Sequence, residues 1–287
     1  MARPNPSTRE TVQRPLDPPQ NAGTEVPGGV YLCQVSETVS CGACCGLYNV
    51  ADPSREAITA MLARRTTLFS RIPREIEAIL DFGARTGDQD GRQRPYPDFH
   101  HCPYLGLVGG NRTRVGCLLH PLGQGNRGVD WRGLSHYGGM ACRVYFCPAT
   151  RRLEARYKQV LRAAWTDDWH AFGLMASERY LVAALLHLLE ARLGRLLDPA
   201  VIAGAPAQRQ AMGRLLRIKL DWPHGRGGHL CHDFFADRRR PSPGARGDKA
   251  PDGAYDVVLG ELETDPGAAA ARAALDRRLA AAARDLR

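Results

Sequence analysis

Residues 40–49 read SCGACCGLYN and place Cys41, Cys44 and Cys45 within five positions. A Cys-x-x-Cys pair can turn two thiolates toward one metal, and Gly42 lets the backbone bend tightly between them. The same spacing serves thiol redox chemistry in a βαβ setting, and no βαβ pattern surrounds it here. Cys45 adds a second constraint. Consecutive side chains diverge by about 180° along a strand and about 100° on a helix. Cys44 and Cys45 therefore chelate one ion poorly and suit different metal atoms. That favours an iron–sulfur cluster or paired metal sites over a single four-cysteine zinc knuckle.

Outward from this stretch, eight of the nine cysteines lie between positions 33 and 147, and only Cys231 lies beyond. The crowding in one half, and the odd total, argue against a disulfide framework. The expected metal ligands are Cys33, Cys41, Cys44, Cys45, Cys102, Cys117, Cys142 and Cys147. Between Cys102 and Cys117 the text is PYLGLVGGNRTRVG. Gly109-Gly110 suits a two-residue hairpin turn, which would put Cys102 directly opposite Cys117; a turn slipped by one makes them diagonal neighbours on the same face. ACRVYFCP supplies Cys142 before a strand-like segment and Cys147 just before Pro148, while Cys33 ends the strand-like GVYLC.

These residues carry a resemblance. CGACC, then CPYL, then VGCLLHP, then ACR resemble the YkgJ-type cysteine-cluster family, whose members are described as zinc- or iron-chelating. The likeness covers roughly residues 33–147 and departs from the family pattern twice. Thr38 stands where the first cysteine of the family falls, and about 20 residues separate Pro121 from Cys142 where the family is tighter. The resemblance implies metal binding and little about a reaction. Some flagellin lysine methylases carry a similar cysteine cluster, so a metal-cluster enzyme such as a protein-lysine methylase is an alternative, without a recognisable methyl-donor motif to support it.

The remainder of the chain reads as mainly α with a small β component, a cysteine-rich metal-binding region of short strands and loops packed against helices. Residues 1–28 read as a disordered arm without the apolar core of a signal peptide, 29–149 as the cysteine-cluster region, 150–220 as helical, 221–253 as a polar loop or linker, and 254–287 as a segment ending in an Ala/Arg helix. Asp52 is the expected N-cap of the first helix, with Pro53 at its first position and Gly83 as a cap further on. A leucine-rich helix spans about 175–197 with His187 in its core face. Strand candidates are 29–33, 102–108, 113–119 and 143–146.

The net charge is +9, but 36 of the 39 basic residues are arginine and they are scattered. With no interleaved aromatic platform, nucleic acid is not expected as a partner. The longest apolar run is interrupted by charge, so no membrane span is expected. His100-His101 read as solvent-facing residues, WTDDWH at 165–170 as a turn with Asp caps, and His224, His229, Cys231, His232 and Asp233 as an ordinary polar loop. The expected protein is cytoplasmic. It binds an iron–sulfur cluster or zinc, with a redox or electron-transfer role. The alternative is a zinc-stapled module that recognises a protein partner.

Overall fold

Ser54 starts the first helix: its hydroxyl accepts from the Ala57 N–H at 3.3 Å, ahead of α1 (Arg55–Arg71). The sequence places Asp52 there. Asp52 instead accepts from the Ser54 N–H at 2.9 Å and shapes the approach to the cap. The computed structural model describes residues 26–91, 93–225 and 252–287. After α1 comes α2 (Ile76–Gly91), which runs through Gly83 rather than stopping at it. A Cβ at Gly83 would sit 2.1 Å from the Tyr104 hydroxyl, so this glycine serves packing, not capping.

Two short strands follow, β1 (Leu105–Val108) and β2 (Arg114–Cys117), paired antiparallel with Leu105 opposite Cys117 and Val108 opposite Arg114. The expected register is corrected on two counts. The connection is the five residues 109–113, and Cys102 lies outside the ladder. The longer loop is held from outside: Thr113 Oγ1 donates to the Glu37 carbonyl at 2.5 Å, and Arg114 pairs with Glu37 at 2.8 Å. Residues 33–41 lie beside β2, with Ser40 Oγ accepting from Val115 N–H at 2.8 Å and Gln34 donating to the Val115 carbonyl at 2.9 Å. The expected strand at 29–33 is absent; an isolated bridge joins Gln34 to Ser40.

The expected strand at 143–146 is also replaced, by α3 (Gly138–Val144), which carries Cys142. Then come α4 (Pro148–Arg152), α5 (Ala155–Ala164), α6 (Trp169–Ala176), α7 (Arg179–Leu193), α8 (Pro199–Gly204), α9 (Pro206–Leu216), α10 (Ile218–Asp221), α11 (Asp252–Glu261) and α12 (Ala269–Asp285). The chain is thus mainly helical with one two-stranded sheet among the described residues. The expected leucine-rich helix is α7, shorter at both ends, and α6 before it meets it at 93°. Ser177 separates them, its hydroxyl donating back to the Gly173 and Leu174 carbonyls. No single helix among the described residues is long and apolar enough to cross a membrane.

Two apolar cores result. One gathers Leu161, Phe172, Leu185, Leu189, Met212 and Leu216 with Leu259, Leu275 and Leu279, so the C-terminal helices pack fully onto the helical half. His187 faces outward, because its neighbours Leu185, Leu186, Leu188 and Leu189 take the buried stripe. The other core gathers Leu47, Tyr48, Ile58, Leu62 and Phe69 with Ile79, Tyr104, Leu105, Val115 and Leu119. Helix α6 forms the seam, with Phe172 in the first core and Trp169 and Leu174 in the second. Its Asp168 caps the helix, as WTDDWH suggested. At the seam a Cβ on Gly173 would sit 2.3 Å from the Tyr48 hydroxyl, and Cys41 packs against both cores.

Candidate metal centre

The three crowded cysteines lie on a turn fixed by backbone bonds. Cys41 N–H donates to the Cys33 carbonyl at 2.8 Å, which brings residue 33 beside residue 41. A 3-10 turn over Ala43–Cys45 follows, ended by Gly46 at φ 76°. Consecutive residues on such a turn start about 120° apart, yet the Cys44 and Cys45 side chains lie within hydrogen-bonding reach of each other.

Cys102 reaches the turn through a neighbouring segment. Its N–H donates to the Cys45 carbonyl at 2.9 Å, and His101 Nδ1 lies 2.7 Å from the Gly46 carbonyl. A Cβ at Gly46 would stand 2.0 Å from the His100 carbonyl oxygen, so only glycine permits this crossing. His101 is buried, not solvent-facing as expected, and its Nε2 meets Arg65 at 2.6 Å. Arg65 also bonds Asp90 at 2.8 Å and the Cys102 carbonyl at 3.1 Å. Cys117 ends β2, and the Cys142 sulfur lies 3.0 Å from the Ser135 hydroxyl. Arg132, fixed by Asp130, donates to the Cys142 carbonyl at 3.4 Å.

On the other side, Cys147 is the N-cap of α4, its sulfur accepting from the Thr150 N–H at 3.5 Å. Lys158, fully buried on α5, donates to the Gly28 carbonyl at 2.8 Å and the Thr150 carbonyl at 3.0 Å. Arg162 donates to the Tyr31 carbonyl at 2.6 Å, and Tyr31 meets Phe146 edge to face. These two cations tie the chain before Cys33 to the chain around Cys147.

The thiols interact as two sets. In the first, burial pushes Cys33 well up, with Cys44 and Cys147 adding to it. Burial also raises Cys41, again with Cys44, Cys147 and Cys33 adding. Cys147 is raised by burial, opposed by its Thr150 bonds. In the second set, Cys102 is pushed up to about 12 by burial and then by Cys117 and Cys142. Burial pushes Cys117 up to about 11, against bonds from the backbone and with Cys142 adding. Cys45 is raised by its hydrogen bond to Cys44, by burial, and by Cys44, Cys102 and Cys117. That same bond is the main reason Cys44 is lowered. The first set is therefore Cys33, Cys41, Cys44 and Cys147. The second is Cys45, Cys102, Cys117 and Cys142, and the vicinal pair joins them.

All eight of these cysteines are free thiols. Among the described residues, no group of three or more His, Cys, Asp or Glu side chains is drawn together closely enough to hold a metal ion as it stands. The donor chemistry nonetheless fits a soft metal. Thiolates are soft donors, and burial with neighbouring thiols raises Cys33, Cys41, Cys45, Cys102 and Cys117, which favours their neutral form unless a cation supplies the opposing charge. Coordination would require the sulfurs to turn inward as they lose their protons.

Of the ligands expected from the sequence, backbone bonds bring Cys33 beside Cys41 and Cys102 beside Cys45, and no three of them are drawn together among the described residues. What sequence reasoning missed is the support: Lys158 and Arg162 behind the first set, Arg65, Arg132 and Ser135 behind the second. One signal was available, since Pro148 at the first helical position marks Cys147 as an N-cap. His224 packs edge to face on Trp222, while His229, Cys231, His232 and Asp233 lie outside the described residues. The chain has no match among models of known protein families, curated proteins or solved structures.

Proposed function

We propose that this chain is a cytoplasmic metalloprotein with two metal centres, each held by four thiolates. Cys33, Cys41, Cys44 and Cys147 would hold one, and Cys45, Cys102, Cys117 and Cys142 the other. What carries the reading is the chain path that brings the cysteine-bearing segments together, Cys41 bonded to Cys33 and Cys102 to Cys45 through the backbone on either side of the Cys44-Cys45 step. The resemblance to the YkgJ-type family supports it from the same residues. Free thiols in such number suit a reducing compartment.

An iron–sulfur cluster at either centre would supply one-electron redox chemistry. The protein's part is to bury the donors: the second core and the Lys158 and Arg162 ties close the surroundings of the thiols. A second reading, zinc as a structural staple for a partner-binding module, is favoured by the scarcity of regular structure between residues 93 and 137, where two four-residue strands and one 3-10 turn are the only elements among the described residues.

Anaerobic purification followed by metal and acid-labile sulfide analysis separates the readings. Visible absorption that bleaches on reduction, with iron and sulfide in equal amounts, supports the redox reading. A colourless protein with two zinc ions supports the staple. A protein that retains neither metal, and takes up neither, refutes both.

A further inference from the structure

Helix α3 buries none of its own residues. Tyr137, Met140 and Val144 fall at helical spacing and share one side of it, and Tyr145 follows at its end. All four are exposed, Met140 by 75%. Apolar side chains gathered on a surface mark a place of contact, which a single exposed leucine does not. Tyrosine, methionine and arginine are also the residues enriched where proteins meet.

The charge around this patch is one-sided. Between Asp98 and Glu154 the sequence holds seven arginines and one acidic residue, Asp130. Asp130 is bonded to Arg132 and Arg143, and Arg114 pairs with Glu37 from outside the segment, so the excess stays positive when both acids are counted. Arg143 lies on α3 itself. Arg151, also exposed, donates from Nε to the Phe146 carbonyl at 2.8 Å, which holds it next to Tyr145. The same helix carries Cys142, whose sulfur lies 3.0 Å from the Ser135 hydroxyl. The exposed helix thus supplies a proposed ligand of the second set.

We propose that α3 is the docking surface for an acidic electron-carrier protein. The class of partner rests on the redox reading above; the choice of surface does not. An apolar centre rimmed by arginines selects a partner with the opposite rim. A second copy of this chain would bring the same arginines against themselves across a two-fold axis. A nucleic acid strand is matched by successive aromatic platforms along a basic groove, and here Met140 and Val144 stand between the two tyrosines. The seven residues of α3 span about 10 Å. That suits the small contact areas of transient electron-transfer pairs.

The test is titration of the full chain, as purified, with an acidic plant-type ferredoxin and with basic cytochrome c, followed by interferometry. Metal content is measured in every sample. Ferredoxin is expected to bind saturably at one site, and about tenfold more weakly when salt rises from about 50 to about 300 mM. Cytochrome c is expected not to bind. Met140→Glu, which puts a like charge at the centre of the patch, should weaken ferredoxin by about tenfold or more while melting temperature and metal content hold. Arg143→Gln should weaken it by about threefold and lessen its salt dependence. Arg85→Gln, an exposed arginine of α2 paired with Asp81, should change nothing. Ferredoxin failing to saturate, cytochrome c binding equally well, or full binding by folded Met140→Glu overturns the proposal. So does capture of single-stranded RNA or of phosphatidylserine vesicles in place of ferredoxin. Should Met140→Glu fail to fold, Arg143→Gln decides. Ferredoxin bound by a protein without metal overturns the redox reading alone; metal retained without ferredoxin binding overturns this inference alone.

Discussion

The two halves of this molecule are held together by different physics. The helical half buries leucine after leucine along α5, α7, α9 and the C-terminal helices, and its order comes from apolar area removed from water. The thiol-bearing half has a core of its own around Leu62, Phe69 and Val115. Yet apart from Cys117 on β2 and Cys142 on α3, the cysteines sit on loops and one 3-10 turn, placed by single hydrogen bonds such as Cys102 to Cys45 and Cys41 to Cys33. Its sulfurs repel charge on one another. A fold can keep such a cluster only by holding it neutral or by supplying a cation. The contrast bears directly on the proposed function: one half is complete as protein, and under that proposal a metal would complete the other.

Removing the metal should break the contrast most strongly. Structural thiolate sites supply on the order of 10 kcal/mol to folding. Hydrogen exchange on the chelated protein should then show residues 33–47 and 100–119 losing protection while α7 keeps it. Equal loss in both halves would contradict the division. Core truncation in the helical half should act the other way. Leu185→Ala should cost about 3 kcal/mol by denaturant unfolding and leave the metal content unchanged.

Two glycines with similar backbone angles sharpen the comparison. Gly46 (φ 76°) faces the His100 carbonyl, whereas Gly194 (φ 67°) at the end of α7 faces open space. Gly46→Ala should cost about 3 kcal/mol and reduce metal at the second set. Gly194→Ala should cost about 1 kcal/mol and leave metal unaffected. Lys158→Met, which removes the two bonds to Gly28 and Thr150, should cost about 2 kcal/mol and lower metal at the first set alone.

The smallest expected effect is on pH. Cys102 and Cys117 rise from 9.0 to about 12 and about 11 in the apo fold. The folded state therefore binds their protons more tightly than the unfolded chain does. This stabilisation is fully present below pH 9 and is lost as pH rises through 11 to 12. Urea midpoints of the chelated protein should fall across that window. Those of the metal-loaded protein, whose thiols are already deprotonated, should not fall for this reason.

What the sequence makes legible follows the same boundary. The stripes Leu153, Tyr157, Val160, Leu161 and Leu185, Leu188, Leu189 read as buried helix faces, and they are buried. The Cys44-Cys45 adjacency predicts divergent thiols, but their side chains reach each other, a contact that chain geometry alone does not foretell. The hairpin register is not legible, since Glu37 and Ser40 hold the 109–115 segment from more than 70 positions away. Neither is the tie between the chain before Cys33 and the chain after Cys147, made by a lysine and an arginine of α5 that reach back to Gly28, Tyr31 and Thr150. Local patterns survive in a sequence; contacts made by one long side chain to a distant carbonyl leave no periodic trace.

The central claim is that the vicinal cysteines belong to different centres. Its most direct test is metal stoichiometry of Cys44→Ser, Cys45→Ser and the double variant, prepared side by side with the unaltered protein. The account predicts that each single variant loses one centre and keeps the other, about half of the bound metal, and that the double variant loses both. If either single substitution empties the protein entirely, or neither lowers its metal content, the two thiols do not serve separate sites.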